Sequence, residues 1–147
     1  MKHRIQSYQL AAGAILLAIG VAAGAFGSHA LDNYVPRSLL PIWHTAVLYQ
    51  LVHGAAILGL AAGRNLVSER MQNLGFSALF LGTVFFSGSL YLFVFSQQRW
   101  LTTLTPVGGV LMVLGWVLIA LGALQKARNP QHDTPNHPHN RPNSPNT

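Results

Sequence analysis

The segment WLTTLTPVGGVLMVLGWVLIALGALQ, Trp100 to Gln125, holds no charged side chain and ends directly before Lys126. About 20 mostly apolar residues in helical form cross the hydrocarbon core of a bilayer, so this run is long enough to span one. Lipid offers no hydrogen bonds, and a single segment satisfies its own backbone only as a helix. Three further runs have the same character: Ile5 to Leu31, Ser38 to Gly63 and Met71 to Gln98. Every charged residue lies outside the four. The chain therefore reads as an all-α membrane protein, a four-transmembrane-helix antiparallel bundle with short loops and a disordered C-terminal tail.

Composition agrees. Of 147 residues, 50% are hydrophobic and only 8% charged, and the mean hydropathy of +0.34 is lowered by the polar C-terminal end. With no cysteine, disulfides and thiolate metal sites are excluded. The net charge of +6 comes from cations standing singly or in pairs at span ends, so the expected partner is the lipid bilayer and not nucleic acid. Lys2, Arg4, Arg64, Arg70, Lys126 and Arg128 collect on one side, against Arg37 and Arg99 on the other. By the positive-inside rule both termini are expected in the cytoplasm, with the protein in a bacterial inner (plasma) membrane. Tyr34, Trp43 and Trp100 fall at the outer boundary as aromatic anchors and Tyr8 at the inner one. The first run is longer than the apolar part of a signal peptide and leads into another span, so it is expected to be retained despite the cleavage-like Ala23-Gly24-Ala25.

The helices are expected near residues 8–28, 43–63, 74–96 and 106–125, within a membrane domain of residues 1–126. Thr105 is placed as a cap for the fourth helix, with Pro106 in its first turn. The outer loop, Leu31 to Ile42, mixes apolar residues with prolines and is expected to rest at the membrane interface. Residues 127–147 are rich in Asn, Pro and His, with little to bury, and read as a disordered polar tail. Its His132, His137 and His139 lack the fixed geometry of a metal site.

Glycines carry a packing signal. Gly13, Gly20 and Gly27 repeat every seven residues, as do Gly108, Gly115 and Gly122, and Gly75, Gly82 and Ser89. Seven residues return to nearly the same helix face, which gives three helices a seam of small residues for close backbone approach. Gly20 to Gly24 and Gly59 to Gly63 add two GxxxG spacings, which favour contact within one chain or between chains.

Polar residues inside the spans mark the candidate site. Tyr49, Gln50 and His53 fall within about 100° of arc on the second helix, with His53 close to the bilayer midplane. Thr83, Ser87 and Tyr91 share a face of the third helix. A pocket open to the outer side would then be lined by His29, Tyr49, Gln50, Ser87, Ser89, Tyr91 and Thr105, with His53 at its floor. His44 points about 180° away from His53, so the two cannot share a metal on a regular helix. A bis-imidazole haem would need two histidines at one depth, and His29 and His53 differ by about half the membrane. No cofactor, metal or catalytic residue is expected, since all three acidic residues lie outside the uncharged runs.

The segments Gly24 to Leu31, Trp43 with Thr45 to Val47, Tyr49-Gln50, His53, Phe86 to Tyr91 and Thr105 to Gly109 occur in this order. Together they closely resemble the YgdD-like family of small inner-membrane proteins, catalogued as a domain of unknown function. The similarity covers roughly Tyr8 to Leu124. It implies a four-helix bacterial inner-membrane protein and brings no activity, substrate or cofactor. His44 and the long tail depart from the family pattern. The expected function is that of a small structural or accessory membrane protein acting through helix contacts, with itself as a homo-oligomer or with other membrane proteins, and not an enzyme. The alternative is a carrier or sensor of a small molecule, lipid or proton at His53.

Overall fold

The computed structural model of the chain describes residues 2–63 and 66–128. Arg64 and the tail from Asn129 to Thr147, with its three histidines, lie outside the described residues. Four long helices carry the fold: α1 Lys2–His29, α2 Leu40–Ala62, α3 Glu69–Ser96 and α4 Leu101–Arg128. Each is long and apolar enough to cross a membrane. With 28 residues apiece, α1, α3 and α4 are about 42 Å long, more than a hydrocarbon core of about 30 Å, so their ends reach the headgroups.

The helices begin earlier than the apolar pattern suggests. Pro41 stands in the first turn of α2, where its missing N–H has no helical partner to lose. Glu69 opens α3 and suits the positive end of the helix dipole. The largest difference is in α4, which starts at Leu101 and carries Pro106 inside it. The amides of Leu101, Thr102 and Thr103 bond to the carbonyls of Gln98, Arg99 and Trp100, which builds a tight first turn ahead of the proline. Leu101 is buried, which draws that turn into the fold. Thr105 is therefore not a cap, and its hydroxyl pairs with that of Ser89 at 2.8 Å.

Burial follows the logic of a lipid solvent. Gln9, Gln50, His53, Gln72, Thr83, Ser87 and Ser89 are buried, while Ile15, Ile19, Leu48, Val52, Leu81, Val113 and Leu124 are exposed. Lipid makes the apolar surface costless, so polar contacts and close packing decide which faces meet.

The backbones approach most closely between consecutive helices: α1 on α2, α2 on α3 and α3 on α4. Glycines set these distances. A Cβ on Gly13 would stand 3.1 Å from the Gly54 carbonyl, one on Gly20 2.8 Å from Leu51, and one on Gly27 2.5 Å from the Trp43 indole nitrogen. Gly24 makes only ordinary contact with Val47 at 3.4 Å. Between α3 and α4, Gly75 meets Ile119, Gly82 meets Gly108 and Met112, and Gly115 meets Leu79, while Gly122 meets Met71 and also Val67, just ahead of α3. Gly59 has nothing within 4 Å. Of the two GxxxG spacings, the one in α1 thus packs inside the chain, and the one in α2 begins on an open face.

Trp43 differs from the expected boundary anchor. Its side chain is buried, and its indole N–H donates to the Ala23 carbonyl at 2.9 Å. The missing side chain of Gly27 leaves the room it occupies. Tyr34 and Trp100 are exposed beside helix ends, and Tyr8 is exposed in the second turn of α1.

Candidate functional site

Because α2 contacts α1 on one side and α3 on the other, its narrow polar arc is divided among its neighbours. Gln50 turns to α1 and donates its amide N–H to the Leu16 carbonyl at 2.8 Å. Tyr49 turns to α3, its ring stacked on Phe86 with centroids 4.5 Å apart. His53 faces α4: Nδ1 lies 2.8 Å from the Tyr49 carbonyl, and the Trp116 indole N–H donates to Nε2 at 3.3 Å. The carbonyl can only accept and the indole can only donate, so the ring is the neutral tautomer with its proton on Nδ1. Both ring nitrogens are then used.

The α3 residues follow the same pattern. Ser87 donates to the Ala46 carbonyl of α2 at 2.9 Å, and Thr83 donates to the Leu79 carbonyl of its own helix. Ser89 and Thr105 join α3 to α4. The Tyr91 ring packs against Trp43 at 4.5 Å, while its hydroxyl is buried without a hydrogen-bond partner. His29 stands exposed at the end of α1, apart from the rest, and His44 is also exposed. The structure thus brings Tyr49 and His53 together with Phe86 and Trp116, and Ser89 together with Thr105. Gln50 and Ser87 go to separate carbonyls. An apolar groove on α4, lined by Pro106, Val107, Val110 and Leu111, includes none of these polar residues.

A second polar layer, unforeseen from the sequence, sits at the end of the bundle that carries the N-terminus. Helix α2 ends at Ala62, where the Gly63 amide closes on the Gly59 carbonyl and the next two carbonyls accept from side chains. Gln6 of α1 donates to the Ala61 carbonyl at 2.9 Å, and Gln72 of α3 donates to the Leu60 carbonyl at 2.5 Å. Two side chains from neighbouring helices thereby cap the C-terminus of α2. Beside them the Gln9 amide donates to Asn73 Oδ1 at 3.2 Å, linking α1 to α3. The available signal was a set of amides inside otherwise apolar runs, which need partners at membrane depth. For Trp116 the signal was its place near the middle of a span, away from the interfaces where tryptophan usually sits.

Chemically, the interior offers neutral hydrogen bonds between helices. It has no carboxylate, since Asp32, Glu69 and Asp133 all lie outside the uncharged runs.

Residues 23–109 match the family model described as DUF423, protein of unknown function. That interval contains all eight candidate pocket residues but not Trp116. The chain is similar to the UPF0382 membrane protein SSP2132 of Staphylococcus saprophyticus, at 39% identity over 103 residues, covering 70% of this chain and 85% of that protein. It is similar to the UPF0382 membrane protein YwdK of Bacillus subtilis at 34% identity, covering 69% and 84%. A UPF0382 membrane protein of Haemophilus influenzae is 34% identical, covering 65% and 76%. No solved structure matches the chain.

Proposed function

We propose a role for this chain from the premise that it belongs to the DUF423 family, whose relatives are UPF0382 membrane proteins. It is a multi-pass membrane protein, and its family carries no assigned biochemical role. Within that frame it is a small structural or accessory protein of the bacterial inner membrane, of YgdD-like type, that works through helix contacts and catalyses no reaction. Its partners are a second copy of itself or another membrane protein. Helical spans suit the inner membrane, since outer-membrane spans are barrels. The excess of Lys and Arg on one side supports cytoplasmic termini.

One observation carries this reading. Gln50, His53, Ser87, Ser89 and Thr105 all spend their hydrogen bonds on main chain or on neighbouring helices. Such bonds fix helix positions and are worth about 0.6 kcal/mol each in membranes.

A second reading, a lipid or small molecule held beside His53, has one point in its favour. Tyr49 and Trp116, which flank the histidine, are 39% and 41% exposed in the middle of their spans. Native mass spectrometry of the gently extracted protein separates the two. A homo-oligomer or a co-purifying protein, unchanged in His53→Ala, supports the helix-contact role, and a bare monomer in both argues against a partner. A stoichiometric small mass that disappears in His53→Ala overturns it in favour of the second reading.

A further inference from the structure

We propose that His53 and Trp116 form a proton-sensitive latch between α2 and α4. The latch goes beyond the structural role, because it makes one helix contact conditional. Its basis is the fixed direction of two hydrogen bonds. Tyr49 offers His53 a carbonyl and Trp116 offers an N–H, so the bond between helices exists only while Nε2 presents a lone pair. A second proton on the imidazole has only Nε2 to occupy. There it points at the indole N–H, and two donors cannot share one hydrogen bond. Trp116 must then turn away.

The surroundings permit that movement and confine it. Trp116 is 41% exposed, so its ring can swing into lipid without leaving a buried hole. Gly108 and Gly115, on another face of α4, hold that helix to α3 independently of Trp116. Helices α2 and α4 are not consecutive, and among the described hydrogen bonds the one from Trp116 to His53 alone joins them. Losing it frees this contact and leaves the α3–α4 seam in place.

No other charge intervenes. On α2 the titratable neighbours are Tyr49, stacked on the histidine ring with centroids 5.9 Å apart, and exposed His44 two and a half turns away. Helix α3 carries only Tyr91 between Met71 and Gln98. Helix α4 carries no titratable group between Leu101 and Gln125, and α1 none between Gln9 and Ser28. Glu69, at the first residue of α3, lies outside the uncharged run that starts at Met71, and no carboxylate falls within any of the four runs to receive an imidazolium, so the effect of the added proton falls on the Trp116 bond.

The test is solid-state nitrogen NMR of the full chain in lipid bilayers, with histidine rings and tryptophan indoles labelled, between pH 8 and pH 5. At pH 8 the expected His53 ring has a protonated Nδ1 and a bare Nε2 coupled to the Trp116 N–H. On acidification both ring nitrogens become protonated and the Trp116 signal moves reversibly, while Trp43 and Trp100 stay put as internal controls. His53→Gln, which keeps an acceptor but cannot titrate, removes the pH response and assigns the signals. If that variant does not fold, the coupling between Trp116 and His53 assigns them in the wild type. A ring that stays neutral and bonded down to pH 5, or that shows the opposite tautomer at pH 8, overturns the latch.

Discussion

Gly82 and Gly108 meet backbone to backbone at the crossing of α3 and α4. A Cβ on Gly82 would lie 2.8 Å from the Gly108 carbonyl, and one on Gly108 would lie 2.7 Å from the Gly82 carbonyl and 2.5 Å from the Phe86 amide nitrogen. Main chain cannot yield as a side-chain tip can, so even alanine must separate the helices. Gly108→Ala is expected to cost about 1–3 kcal/mol, at the level of overpacking a tight core. Gly59→Ala meets open space and is expected to gain up to about 1 kcal/mol from helix propensity. Reversible unfolding in mixed micelles compares the two. Equal effects at the two positions would show that the seam does not govern packing.

Gly27 and Trp43 form a similar pair with a softer neighbour. An alanine methyl at position 27 would press on the indole nitrogen at 2.5 Å and on its adjacent ring carbon at 2.6 Å. The ring must tilt and lose its bond to the Ala23 carbonyl. Gly27→Ala is expected to alter the near-ultraviolet circular dichroism and to destabilise by about 1–3 kcal/mol. Trp43→Phe, which vacates that space, should make the second change much milder when both are combined. Strict additivity would mean that the two side chains do not share the site.

These two contacts mark what could be read in advance. Lipid forbids unpaired backbone and unpaired charge, so four uncharged runs announce four helices, and a period of seven announces one face of each. Nothing in one helix says which neighbour lies across from which face. Tyr49, Gln50 and His53 share an arc, yet they serve α3, α1 and α4 because α2 lies between its neighbours. Trp43 looked like a boundary anchor because the cavity that receives it comes from Gly27, sixteen positions earlier in another helix. The roles of Gln6 and Gln72 are illegible in the sequence for the same reason: the carbonyls they cap belong to α2.

Those glutamines allow a comparison of acceptors. The Leu16 and Ala46 carbonyls, which take bonds from Gln50 and Ser87, lie within regular helix and also serve the helical ladder. Gln50→Leu or Ser87→Ala is therefore expected to cost only about 0.6 kcal/mol. The Leu60 carbonyl lies in the last turn of α2, and Gln72, fully buried, is the donor seated on it. Gln72→Leu should cost more than either, up to about 3 kcal/mol, because the Leu60 acceptor loses its side-chain donor, offset in part because Gln72 Oε1, itself buried without a partner, goes with it. Unfolding free energies of the three variants rank the effects. A Gln72→Leu loss no larger than that of Ser87→Ala would mean that water replaces the cap.

The end of α3 holds a residue in a conformation it does not favour. Gln97 sits at φ 52° and ψ 21°, and its amide bonds to the Phe93 carbonyl at 2.8 Å to close the helix. This left-handed geometry is usual for glycine at a helix end, whereas a residue with a Cβ crowds its own carbonyl at a cost of roughly 1 kcal/mol. The Gln97 side chain is exposed, so little packing is lost on its removal. Gln97→Gly is expected to raise stability by up to about 1 kcal/mol, offset in part by the greater freedom of glycine in the unfolded chain. Gln97→Val, whose branched side chain tolerates positive φ poorly, should lower it. Thermal unfolding of the two variants checks the sign. A stabilising valine would show that this loop closes α3 through a different backbone turn.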